Sequence, residues 1–211
     1  MEGLDDKYYI ISRDGTKDET VSAKPDEETA RLPMGVRPIP SGRAMFFSLG
    51  HAEQHKKLGL GERIGDLIFR GSDFMIKKEV RNKLLKYPID HIQYYPAVYT
   101  EVDGTSHYNY FFVNTTQRKD WCYIERSTLD EFAEEMIDEG LKPSVETITL
   151  DFHKMLLIPE DERLIFRMSN IDMDKIIIHE KVKDIFEQFN LVDTRFFRVD
   201  QWKRNAHLRP A

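Results

Sequence analysis

Cysteine is almost absent from this 211-residue chain, in which Cys122 stands alone. A single cysteine cannot form an intrachain disulfide, which is the usual situation in proteins of reducing compartments. Basic residues are also in deficit: 31 Lys and Arg stand against 37 Asp and Glu, for a formal net charge of −6. Nucleic-acid-binding proteins usually show the opposite balance or a basic stripe. We therefore expect no nucleic-acid partner, whereas an acidic surface favours a basic protein partner.

Long apolar runs are missing as well. No run approaches the roughly 18 residues that would suggest a membrane span. The first ten residues, MEGLDDKYYI, place acids where a secretory signal needs basic residues followed by an apolar core. We therefore predict a cytoplasmic protein without a membrane partner. Its apolar content of 40% and charged content of 32% are those of an ordinary globular protein.

The common catalytic and cofactor motifs are absent from the sequence: GxGxxG, GxxxxGK[ST], HExxH, GxSxG and CxxC do not occur. His51 and His55 would lie one turn apart on a helix, as zinc ligands can, but nothing in the sequence selects a third ligand. Cys122 lies between Trp121 and Tyr123 in a strand-like run, where a lone cysteine is usually a small core residue. We predict no catalytic residue, no cofactor and no metal site. A metal-dependent enzyme built on His51 and His55 is the alternative.

What the chain does contain is an internal repeat. Residues 67–98 read as short strands, a helix stopped by Pro88 and an aromatic strand. The same order returns from Leu164, where Leu164–Arg167 repeats the letters LIFR of Leu67–Arg70. The other matches are Phe74-Met75-Ile76 with Ile176-Ile177-Ile178, Val80 with Val182, Pro88 with Asn190, and Tyr94-Tyr95 with Phe196-Phe197. An ordered match of this kind indicates a duplication.

The repeat predicts an α+β fold, with a mixed, largely antiparallel sheet, several helices and two related strand-helix-strand halves. We divide the chain into an N-terminal strand and acidic surface loop (1–31), a first half (32–126) and a second half (127–211), all in one compact unit. Within the first half, the strand-like runs 92–99 and 108–114 flank Asp103-Gly104, a pair typical of hairpin turns.

Two features could contact a partner. Residues 127–140 (STLDEFAEEMIDEG) predict a helix with Leu129, Phe132, Ala133, Met136 and Ile137 on its apolar face. Its polar face carries Asp130, Glu131, Glu134, Glu135 and Asp138 with no basic residue between them. The second feature is a set of three tyrosines, Tyr94, Tyr95 and Tyr108, which would be good anchors if exposed. A merely solvated helix face and tyrosines packed within the sheet are the alternatives.

The order of these motifs resembles a bacterial family of polymorphic-toxin immunity proteins (immunity type eleven, formerly a domain of unknown function). The resemblance extends from about Leu32 to Val199. It is carried by 61–67 (GERIGDL), 74–85 (FMIKKEVRNKLL), 110–127 (YFFVNTTQRKDWCYIERS), 149–151 (TLD) and the second repeat at 164–199.

The resemblance implies a small cytoplasmic protein that binds and blocks a toxin, either injected by neighbouring cells or made by the cell itself. The toxin would act in the cytoplasm, and a toxin that acts on nucleic acids or nucleotides often has a basic active cleft. We therefore expect a basic toxin domain as the partner, covered at its active site by the acidic and aromatic residues named above. The oligomeric state is left open between monomer and homodimer. A protein-interaction module unrelated to toxins is a further alternative.

Overall fold

A computed structural model describes residues 4–16, 21–40, 42–89 and 91–209. The strands, numbered in chain order, are β1 (Tyr8–Arg13), β2 (Ala23–Pro25), β3 (Met45–Leu49), β4 (Leu67–Arg70), β5 (Asp73–Lys77), β6 (Ile92–Thr100), β7 (Ser106–Thr115), β8 (Arg118–Lys119), β9 (Ile165–Met168), β10 (Ile176–His179) and β11 (Thr194–Arg198). The α-helices are α1 (Glu27–Ala30), α2 (Ala52–Leu58), α3 (Lys78–Leu84), α4 (Ala133–Asp138), α5 (Phe152–Leu156) and α6 (Glu180–Phe186). Short 3₁₀ turns lie at Leu4–Lys7, Ile124–Arg126, Glu160–Arg163, Val199–Gln201 and Ala206–Leu208.

The strands form two sheets. One has the order β2-β3-β6-β7-β5-β4 and the other β11-β1-β10-β9-β8. Neighbouring strands are antiparallel except for the pairs β3/β6 and β8/β9, which are parallel. The predicted α+β class with largely antiparallel sheets is therefore confirmed.

The two repeats occupy corresponding places in the two sheets. In the first, β4 and β5 lead into α3 and then β6; in the second, β9 and β10 lead into α6 and then β11. Both helices span seven residues, and the strand that follows each helix begins fourteen residues after the helix begins. Each repeat is completed by a fourth strand between its second and third, β7 in one sheet and β1 in the other. The second half is thus a circular permutation of the first, because its fourth strand comes from the start of the chain.

The identical LIFR letters are one residue out of structural register. Leu67 lies opposite Ile76, whereas Ile165, not Leu164, lies opposite the equivalent Ile178. A shift of one residue moves each side chain of a strand to the other face. As a result Phe69 of the first repeat is equivalent to Arg167 of the second. The four-letter identity therefore aligns residues that are not structurally equivalent.

Both repeats contribute to one central core. Ile76, Val80 and Leu84 of the first pack in the same buried cluster as Ile178, Val182 and Phe186 of the second, and α3 contacts α6. Each sheet also buries its other face. The outer core of the six-stranded sheet includes Met45, Met75, Tyr99 and Phe112, and that of the five-stranded sheet includes Tyr8, Trp121, Leu150, Phe166 and Trp202.

A buried arginine joins the two sheets at the end of the central core. The Arg167 side chain on β9 is fully buried, and its guanidinium donates to the carboxylate of Asp73 on β5. It also donates to Asp174 Oδ1 at 2.9 Å and to the Thr115 carbonyl at 3.4 Å. A buried ion pair of this kind persists because each charge is matched and hydrogen-bonded.

The division of the chain at residues 31 and 126 does not coincide with the division into sheets. The first strand of the 1–31 segment, β1, lies in the sheet of the second half, and so does β8 from the 32–126 segment. Residues 21–31, expected as loop, contain β2 and α1, and Asp26 caps α1 by accepting the Thr29 N–H at 2.7 Å. Residues 1–3 and 17–20 of the first segment lie outside the described residues.

The predicted hairpin is present. β6 and β7 pair in antiparallel register, and Gly104 between them has a φ of 92°, which glycine adopts at little cost. Asp103 stabilises the turn, since its Oδ1 accepts the Thr105 N–H at 2.8 Å.

Candidate protein-binding surface

The helix expected at 127–140 is much shorter in the structure. α4 begins at Ala133, and the preceding residues form turns held by side chains. Ser127 Oγ donates to the Tyr123 carbonyl and accepts the Thr149 N–H, at 2.9 and 3.0 Å, so it does not cap a helix. Asp130 Oδ1 accepts the Phe132 N–H at 3.0 Å. Side-chain bonds of this type compete with the helical ladder, which explains the late start.

Asp130 is an anchor rather than a free surface acid. Its side chain is only 8% exposed and accepts a hydrogen bond from the guanidinium of Arg204. Burial alone would raise its pKa, but the Phe132 N–H and the Ser144 and Arg204 donors outweigh burial and lower the pKa of this carboxyl. Asp130 therefore attaches the turn before α4 to the C-terminal segment, and the expectation of a partner contact at this residue does not fit its surroundings.

The remaining acids of this segment are exposed. They are Glu131, Glu134, Glu135 and Asp138, followed by Glu139. No basic residue lies between 131 and 141, so the segment presents charge of one sign over its whole length.

The apolar residues of the segment are not where a buried helix face would place them. Of the five expected on that face, only Ala133 is buried. Phe132 is 58% exposed and Ile137 46%, and Leu141 just beyond the helix is 54% exposed. We call residues 131–141 the α4 surface. It combines exposed acids of one sign with exposed large apolar side chains, a composition suited to contact with a basic partner that also offers apolar area.

The three tyrosines have different environments. Tyr95 is buried, and its hydroxyl donates to the Pro40 carbonyl at 3.0 Å. Tyr94 packs against the central core under the guanidinium of Arg81, at 5.8 Å from the ring centre, and burial raises its pKa. Tyr108 is 77% exposed. Only Tyr108 is thus placed to meet a partner, and it lies on β7 of the six-stranded sheet, whereas the α4 segment packs through Leu129 on the outer core of the other sheet.

The histidine pair of the metal alternative does not share one environment. His51 precedes α2 and is exposed, while His55 within α2 is buried. Among residues 4–16, 21–40, 42–89 and 91–209, no group of three or more His, Cys, Asp or Glu side chains is arranged to hold a metal ion.

Cys122 lies buried in the outer core of the five-stranded sheet. Its side chain is 3% exposed, its Sγ lies 3.3 Å from Ser127 Oγ, and burial raises the pKa of the thiol. Because the thiolate is the reactive form, the native protein should react negligibly with an aromatic disulfide reagent in mildly alkaline buffer. A full thiol equivalent should react once denaturant is added. Rapid stoichiometric labelling of the folded protein would contradict this placement.

Sequence reasoning missed the exposure of Phe132, Ile137 and Leu141, because it placed the first two in the core. A signal was present in the sequence: the Asp130–Phe132 spacing suits a local side-chain turn, and Gly140 ends the helix before Leu141. A helix that begins after the Asp130–Phe132 turn and ends before Gly140 has too few residues to bury a full apolar face.

Comparison with known proteins gives no assignment. No protein-family model matches the chain, and no curated protein matches it. In the part of the chain that the structure describes, no helix has both the length and the apolar character needed to cross a bilayer.

Proposed function

We propose that this protein is an immunity protein, which binds a cognate bacterial toxin in the cytoplasm and neutralises it by covering its active site. The observation that carries the proposal is the α4 surface, where Phe132 and Ile137 are exposed among acids and no basic residue occurs between positions 131 and 141. The resemblance of the sequence motifs to an immunity family supports the same function. No reaction is assigned to the protein itself.

The mechanism follows from the chemistry of the α4 surface. A toxin that acts on nucleic acids or nucleotides often has a basic cleft, because its substrate carries phosphate charge. Glu131, Glu134 and Glu135 would attract such a cleft over a distance and speed the encounter. The exposed Phe132 and Ile137 would then be buried against the toxin, which supplies affinity that screened charges alone do not.

The direct test is co-expression with the product of the adjacent gene, in a cell where that neighbour alone is toxic. We expect growth to be restored and the two proteins to co-purify as a stable complex. A harmless neighbour, or a toxic one that is neither neutralised nor bound, would remove the support for the proposal.

The acids can be tested separately from the apolar residues. Glu131→Lys, Glu134→Lys and Glu135→Lys together should lower the association rate with the toxin and reverse its salt dependence, since steering charges act mainly on association. A control with the same charge change, Glu27→Lys, Glu53→Lys and Glu79→Lys, alters acids that are exposed elsewhere. Surface plasmon resonance at several salt concentrations would measure both. Equal association rates for the two triple variants would exclude steering by the α4 surface.

A further inference from the structure

A cleft lies next to the Asp130–Arg204 contact, on the outer core of the five-stranded sheet. Its volume is about 190 Å³. Its walls combine three largely apolar side chains with three basic ones, two acids and an amide: Val145, Met173 and Trp202; Lys175, Arg204 and His207; Asp172 and Asp174; and Asn205. Asn205, in the left-handed conformation at φ 62°, makes the turn between the Trp202 and His207 sides of this wall. We call this cleft the Trp202 cleft.

Asp174 and Arg204 at the Trp202 cleft are already paired with charges of the opposite sign. Asp174 is engaged by two guanidinium groups, Arg167 at 2.9 Å and Arg118 at 3.3 Å. Arg204 is engaged in turn by Asp130. Asp172 is exposed at the rim, and its backbone N–H donates to the Pro143 carbonyl at 2.9 Å. Asp172 is therefore the one lining carboxylate without a guanidinium partner among the described residues.

The Lys175 side chain also lacks a partner of opposite charge within the described residues. Within the described chain its ammonium forms no ion pair, and burial lowers its pKa, with Arg13 adding to the effect and Asp174 opposing it. Burial also lowers the pKa of His207, and the charges of Lys175, Arg13 and Arg195 lower it further. Among the basic side chains that line the cleft, Lys175 is thus the one whose ammonium has no carboxylate partner within the described residues, and an anion placed beside it in the cleft would stabilise its charge.

We propose that the Trp202 cleft binds a small organic anion, in which a carboxylate or phosphate group is joined to a flat apolar group. The anionic group would contact the Lys175 ammonium and the His207 ring. The apolar group would pack on Trp202 and Met173, which form the apolar wall. Apolar walls with a few convergent polar groups are the usual construction of small-molecule sites. This site is independent of the α4 surface and of the toxin-binding proposal.

Two-dimensional NMR can test the site with simple aromatic anions. Benzoate and phenyl phosphate serve as probes, and benzamide serves as the uncharged analogue of benzoate. We expect the indole N–H signal of Trp202 to shift saturably with both anions and about tenfold more weakly with benzamide, the equivalent of one partly screened charge contact. Trp121, the other of two tryptophans, gives the reference signal in the same spectrum.

Variants then locate the charge. Lys175→Met should weaken benzoate binding by about tenfold, and Lys175→Arg should largely retain it. Lys203→Met is the matched control, because Lys203 is exposed close by and is not part of the lining. In the unmodified protein, equal affinities for benzoate and benzamide would overturn the proposal. The absence of a saturable shift with either anion would also overturn it. Unchanged benzoate affinity in a folded Lys175→Met variant would overturn the role given to Lys175.

Discussion

Replacing Arg167 by methionine should lower the free energy of unfolding by about 3–5 kcal/mol, the usual cost of removing one member of a buried ion pair. Arg167 is fully buried and hydrogen-bonds to Asp73 across the two sheets. Burial already raises the pKa of Asp73, against the opposing charges of Arg167 and Arg70. Without Arg167 the Asp73 carboxylate would keep its desolvation cost and lose its main compensation. Chemical denaturation of the variant and the natural protein would measure the difference.

The pH dependence of this loss follows from the same shift. A carboxyl with a raised pKa in the folded state binds its proton more tightly there than in the unfolded chain. Stability therefore rises as the pH falls through the folded-state pKa of Asp73. Removing the Arg167 charge, which lowers the pKa of Asp73, should raise that pKa further, so the variant gains more stability on acidification than the natural protein does. We therefore expect the destabilisation by Arg167→Met to be smaller in mildly acidic than in neutral buffer. A loss that grows on acidification would contradict the assignment to Asp73.

Arg70 provides the matched control, because it ends the same LIFR tetrapeptide. Its side chain is 32% exposed and reaches Asp73 at 3.3 Å. Arg70→Met should cost less than about 1 kcal/mol, as expected for a partly solvated ion pair. Arg167→Met combined with Asp73→Leu should recover much of the lost stability, since both buried charges are then removed. Equal costs for the two arginine variants would contradict the burial difference.

The contrast between the two arginines shows how well the sequence repeat aligns structurally equivalent residues. The helix and the aromatic strand of both repeats are aligned correctly by the sequence, because Val80 and Val182 each occupy a buried helical position fixed by a period of 3.6. The first strands are misaligned, since four identical letters outweigh the loop difference between β4/β5 and β9/β10. Only the strand register shows that Phe69 and Arg167 are equivalent.

The permuted strand could not be predicted from sequence. β1 pairs with β10 and β11, which lie more than 150 residues away along the chain. Local patterning identifies β1 as a strand but carries no information on its partner. Alternation likewise could not separate Tyr94, which packs on the central core, from the exposed Tyr108, because both follow the same period of two.

The long helix predicted over 127–140 is also not present in the structure, and this difference changes which residues should dominate binding. The acids were expected to contact the partner and the apolar residues to be buried in the protein. With Phe132 and Ile137 exposed, the apolar side chains become the stronger candidates, since large side chains at the centre of an interface carry most of its binding energy. Screened surface acids mainly affect the rate of encounter.

Phe132→Ser should therefore weaken the complex with the toxin by about 2 kcal/mol or more, roughly thirtyfold in Kd, chiefly through faster dissociation. The stability of the free protein should change little, because the Phe132 side chain is 58% exposed. Leu58→Ser is the control, as Leu58 is 60% exposed on α2 and should leave binding unchanged. Titration calorimetry on both variants separates the two outcomes. If Phe132→Ser binds as tightly as the control while the natural protein still neutralises its toxin, the contact lies elsewhere, and the exposed Tyr108 on β7 becomes the next residue to substitute.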